Sequence, residues 1–311
     1  MRLTTPAADR AAAHRPPGPA HRSTWAAWGW VRRVLAWGVC ALAGWAPVAQ
    51  AQVAPAVAEE LMKLSGSWAQ LADLGGQVGQ GLLAGVRQAD KAPSASEMQR
   101  LLRAAEAAFA PDTMRAQAHT VVMQQTSPVH LPALLDWYKA PLGQRITALE
   151  AASSRASGAD GGDQQATLRR AHAAWQAASP MRQALLQRME VATQAGDAMA
   201  NVTILSALAI QSGLQAASGQ PLPSEGPTLR QLLEAQRADL AASYTRFVPW
   251  LLAATYAELN DNELASYLDT LESPAGRHFN GVSIRALTAA MTHAAHLLGQ
   301  GLATAKDAAN A

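Results

Sequence analysis

The chain has 311 residues, of which 49% are hydrophobic, 15% charged and only 5% aromatic, and it contains a single cysteine. That length admits one large core or two modest ones, while one cysteine excludes a disulfide framework and any thiolate-clustered metal. Residues 1–51 hold six of the 25 basic residues and one of the 23 acidic ones, so the remainder carries 19 against 22, a net charge near −3. A mildly acidic body lacks the basic footprint of a nucleic-acid binder, and that class is excluded.

Residues 1–51 read as an address. An Arg-containing leader runs to Arg33, an apolar run follows from Val34 to Trp45, and Pro47 precedes Ala49-Gln50-Ala51. A basic region, about a dozen apolar residues and an A-x-A ending describe a secretory signal peptide. The apolar run is shorter than the ~20 residues that span a bilayer. The expectation is cleavage after Ala51, a periplasmic or secreted mature chain, and no stable membrane insertion afterwards.

Beyond residue 51, abundant alanine and sparse β-branched and aromatic residues predict an all-α protein. The first helical unit is expected over 52–152. Within it, glycines 75, 79, 81 and 85 form two Gly-xxx-Gly pairs, a spacing that suits close helix packing. Ser94-x-x-Glu97 reads as a capping box, as does Thr228-x-x-Gln231 farther on. Residues 153–166, rich in Ser, Gly and Asp, read as a flexible linker. A helical hairpin broken at Ser179-Pro180, followed by a second helical unit, fills 167–303, and 304–311 reads as a disordered tail.

The strongest signal is internal similarity. Ser127–Leu149 aligns on Asn260–Val282 without a gap. Leu131, Leu134, Leu135 and Tyr138 then match Leu264, Tyr267, Leu268 and Leu271, each set lying on one helix face at i, i+3, i+4, i+7. Ser127 and Asn260 are good N-cap types, and Pro128 suits a first helical position. Pro141-x-Gly143 matches Pro274-x-Gly276. Proline disfavours helix in the residue before it, so Ala140 and Ser273 should each end a helix at a sharp corner that starts the next. Weaker upstream similarity pairs Gln99–Phe109 with Arg230–Leu240 and Leu61–Gly66 with Val191–Gly196. Two tandem related units packed as a helical bundle are the predicted architecture.

The repeated corner, and above all Asn260-Asp-Asn-Glu-Leu264 leading into Leu271-Glu-Ser-Pro-Ala-Gly-Arg277, resembles the exported bacterial family called domain of unknown function 2059. The first copy departs from that pattern, with Pro128-Val-His130 in place of the acidic start and Ala140 in place of serine. The resemblance is confined to the corner and its immediate flanks in each copy. It implies a helical periplasmic protein and brings no assigned activity.

Catalytic signatures are weak. His293 and His296 fall on the polar side of a helix whose apolar face is Leu287, Met291, Ala294 and Leu298, and they lack the spacing of a zinc-protease helix. Asp160-Gly-Gly-Asp163 supplies two carboxylates where calcium needs six to eight oxygens. Glu150, Glu258, Glu263 and Glu272 read as helix-surface residues. No metal ligand, cofactor or catalytic residue is assigned. Trp137 and Tyr138, beside the first corner, and Arg145 and Arg277, just after the two corners, are the candidate binding residues, with Pro141, Gly143, Pro274 and Gly276 as structural turns. The expected function is a non-enzymatic binding or structural role in the cell envelope, with an apolar ligand, a peptide or an envelope protein held between the two units. The alternative is a hydrolase of an envelope polymer using carboxylates from both units.

Overall fold

A computed structural model describes residues 52–74, 76, 94–159, 164–218 and 228–310. The expected signal peptide, the glycines at 75, 79, 81 and 85 and the Asp160–Asp163 run lie outside the described residues. Every regular element within them is helical. In chain order these are α1 (Pro55–Leu64), α2 (Ala95–Ala108), α3 (Pro111–Gln125), α4 (Leu131–Lys139), α5 (Pro141–Ala159) and α6 (Gln164–Ala177). They continue with α7 (Pro180–Thr193), α8 (Ala195–Ser218), α9 (Leu229–Ala235), α10 (Arg237–Thr255), α11 (Asp261–Glu272) and α12 (Pro274–Asn310). Residues 67–74 are also helical. No helix among the described residues is long and apolar enough to cross a membrane.

The helix starts follow local chemistry. Ser94 and Thr228 each close a reciprocal capping box, with Glu97 and Gln231 respectively, which satisfies two orphan donors at each start. Asn260 does the same with Glu263 and opens α11 at Asp261. Ser127, its counterpart in the sequence, does not cap. The residue three positions on is His130 rather than a glutamate, and the Ser127 N–H donates across the bundle to His278 Nε2 at 2.9 Å. Residues 128–130 therefore form a turn, Pro128 is not helical, and α4 begins at Leu131 with Pro132 in its first turn.

Both Pro-x-Gly corners have the same backbone. Ala140 (φ −68, ψ 149) and Ser273 (φ −66, ψ 159) are extended before their prolines, and α5 and α12 start at Pro141 and Pro274. A Cβ on Gly143 would collide with the Trp137 carbonyl oxygen, and one on Gly276 with the Thr270 carbonyl oxygen. In each case the glycine presses on the carbonyl six residues earlier. Only a residue without a side chain fits there.

Two apolar cores result. Leu61, Met62, Leu101, Phe109, Met114, Val122, Leu134, Phe279, Val282 and Met291 build the first. Ile146, Leu186, Met189, Tyr256, Leu259, Leu264 and Leu268 build the second. Each corner straddles both cores. At the first corner α4 contributes Leu134 to core one and α5 contributes Ile146 to core two. At the second, α11 contributes Leu264 and Leu268 to core two, and α12 contributes Phe279 and Val282 to core one. The two halves thus interlock, and all the described residues fall in one compact unit, Gln50–Ala311.

Three local details refine the helix bounds read from the sequence. Within the stretch 153–166, α5 runs to Ala159 and α6 begins at Gln164. Ala151, Ala152, Ala156 and Ala159 sustain the helix, and the Ser153 hydroxyl lies 3.0 Å from that of Thr255. The helix α12 runs through residues 304–310 to Asn310, in keeping with their alanine content. The pairing of Gly66 with Gly196 is also displaced. The left-handed residues that end the two comparable helices are Gly66 (φ 77) and Gln194 (φ 53). Gly196 has a different duty inside α8, where a Cβ would collide with Thr245 Oγ1.

Candidate functional site

The helices border a partly open apolar cavity of about 290 Å³ where both halves of the chain meet. α1 supplies Met62, and the helical stretch after it supplies Ser67, Gln70, Leu71 and Leu74; α3 supplies Ala118 and Val122. The opposite wall is α12, with Ser283, Ile284, Ala286 and Leu287, and α5 adds Ser154. Met62, Leu71, Ala118, Val122 and Ala286 are buried, so much of the wall is built from core residues with little freedom to move. Among the described residues, the polar wall atoms are all uncharged. Ser67 Oγ already donates to the Met62 carbonyl at 3.1 Å. The Ser154 and Ser283 hydroxyls have no hydrogen-bond partner among the described residues.

One carboxyl expected on a helix surface is instead engaged across the bundle. Glu150 Oε1, one turn before Ser154 on α5, accepts hydrogen bonds from Tyr256 at 2.6 Å and Tyr267 at 2.8 Å. Burial raises the Glu150 pKa, and the two phenols lower it in partial opposition. Both tyrosines are in turn pushed well up, by burial first and then by the charge of Glu150. The carboxyl belongs to the first half and both donors to the second. Nothing local to Glu150 signals this, since its partners are 106 and 117 residues away in sequence.

The four candidate binding residues cluster around the corner contacts, each engaged within the molecule, and the cavity is lined by other residues. Trp137 stacks on Tyr267, with centroids 5.8 Å apart and planes 6° off parallel. Tyr138 meets Phe279 edge-on at 5.9 Å, and burial together with the Glu150 charge holds its pKa well above the usual phenol value. Arg145 donates to Glu263 at 2.7 Å and to the Glu258 carbonyl at 2.7 Å. Arg277 donates to the Glu272 carbonyl and lines a shallow depression with Val191, Gln194 and Asn280.

The remaining histidines do not assemble a centre. His296 lies 2.9 Å from the Gln300 side chain on the exposed face of α12, while Met291, Ala294 and Leu298 on the opposite face are buried. No three His, Cys, Asp or Glu residues among those described gather in a metal-binding group. Comparison with family models, curated proteins and solved structures found no match to this chain.

Proposed function

We propose that this protein is an exported, non-enzymatic binding protein of the bacterial cell envelope, and that its site is the cavity between the two halves. The observation that carries the reading is the cavity's composition. Leu71, Leu74, Val122, Ile284 and Leu287 face one another across a space of about 290 Å³, at the small end of the range that holds ligands of drug size. The signal-peptide pattern of residues 1–51 and the likeness of the corner to the exported family called domain of unknown function 2059 support the address. Tandem duplication of one helix–corner–helix module is part of the same proposal. The matching corner backbones and the exchange of helices between the two cores support it.

The hydrolase alternative draws less support. Two of its candidate carboxylates are ion-paired, Glu263 with Arg145 and Glu272 with Arg188, each at 2.7 Å, and neither lines the cavity.

Titration of the mature chain with the neutral fluorophore phenylnaphthylamine tests the binding role. Saturable, stoichiometric enhancement that disappears in Ser154→Phe, a variant that fills the cavity, is the expected result. A linear, unsaturable response would remove the support for a binding role. Mass spectrometry of the envelope form should find Gln52 at the N-terminus.

A further inference from the structure

Resting on the cavity reading above, we infer that the natural occupant is a single-chain, electrically neutral amphiphile. Its hydrocarbon tail packs among Leu71, Val122 and Leu287, and its hydroxyl or ester end is seated by Ser154 and Ser283. Three observations on the cavity lead to this class.

The first is charge. Among the described residues, no Asp, Glu, Lys, Arg or His lines the cavity. An ionised head group taken into such a space loses its hydration and meets no counter-charge, which is strongly unfavourable.

The second is how this fold treats a carboxyl where it does enclose one. In the register that lays Ser127 on Asn260, Ser283 is the counterpart of Glu150, on the long helix after the second corner. At Glu150 two phenol donors converge on a single oxygen, at 2.6 and 2.8 Å. Among the described residues, the cavity beside Ser283 has no tyrosine in its wall, and isolated hydroxyls and the Gln70 amide are what it offers there. Those groups suit an alcohol or ester, which needs one donor or acceptor at a time.

The third is size. About 290 Å³ lies at the lower limit of small-molecule pockets, so one short chain fits, and a diacyl lipid or a folded peptide segment does not.

The test is competition on the mature full-length chain with bound phenylnaphthylamine, using decanol and decanoate at about pH 8, where the carboxylic acid is fully ionised. Decanol is expected to displace the probe at a concentration at least about tenfold lower than decanoate, a difference of about 1.4 kcal/mol. The double variant Ser154→Ala, Ser283→Ala should weaken decanol by at least about threefold more than it weakens the probe, since it removes only the polar seat. Equal displacement by decanoate, or an unchanged decanol affinity in the double variant, overturns the neutral-amphiphile assignment while leaving the cavity a binding site. Failure of the probe itself to bind overturns the binding function instead, so the two failures are distinguishable.

Discussion

Arg145 and Glu263 form a 2.7 Å ion pair that ties the long helix after the first corner to the short helix before the second. In the register of the internal similarity, Arg145 corresponds to His278 and Glu263 to His130. His278 and His130 are also in contact, with ring centroids 5.0 Å apart. The correspondence extends to the backbone. Arg145 donates to the carbonyl of Glu258, and the backbone of Gln125, the counterpart of Glu258, acts electrostatically on His278. One seat of this matched pair holds a permanent ion pair, and the other holds two titratable rings.

That asymmetry predicts one-sided acid sensitivity. His278 Nε2 accepts the Ser127 N–H, so the ring must be neutral at that nitrogen. Burial lowers its pKa below 6.5, and the nearby charges of His130 and Arg285 lower it further, while the Gln125 backbone works in the opposite direction. A histidine whose folded pKa is depressed leaves the unfolded chain binding more protons, so stability rises with pH across the window. Stability should therefore be full above about pH 6.5 and fall as the pH drops below it. His278→Gln, which keeps an acceptor and cannot charge, should flatten that fall. Equal losses of Tm between neutral and mildly acidic buffer in the two proteins would refute the mechanism.

Glu150 should act with the opposite sign. Its folded pKa is raised from 4.5, so the native state holds a proton that the unfolded chain releases, and stability falls as pH rises from about 4.5 through the folded value. Glu150→Gln retains an acceptor for Tyr256 and Tyr267 and carries no charge. It should match or exceed the parent in Tm at neutral pH, with the difference shrinking towards pH 4.5. Glu150→Leu, which strands both phenols, should cost about 1–3 kcal/mol. A Gln variant as damaged as the Leu variant at neutral pH would show that the carboxylate charge itself is needed.

The corners make a paired prediction. A side chain at Gly143 or Gly276 must push aside a backbone carbonyl rather than a flexible side chain. Gly143→Val and Gly276→Val should each lose at least about 2 kcal/mol, a Tm decrease of several degrees for a chain of this size. Similar losses at both sites are expected because the contact is the same. A neutral result at either site would mean that its corner has room to relax.

The amino-acid order by itself determined what depends on neighbours in sequence. Proline stops the helix before it by local sterics, so both corners were visible at Pro141 and Pro274. Capping boxes span four residues, so Ser94 and Thr228 declared their helix starts, and the apolar stripe of α12 could be read from spacing alone. Tertiary structure decided what depends on distant partners. Ser127 looks like a cap but gives its N–H to a ring 151 residues later, Glu150 looks solvated until Tyr256 and Tyr267 close on it, and the cavity exists only where α1, α3, α5 and α12 fail to fill the space between them. Local rules fix backbone torsions over a few residues, whereas burial, proton affinity and empty volume are properties of groups brought together from far apart in the chain.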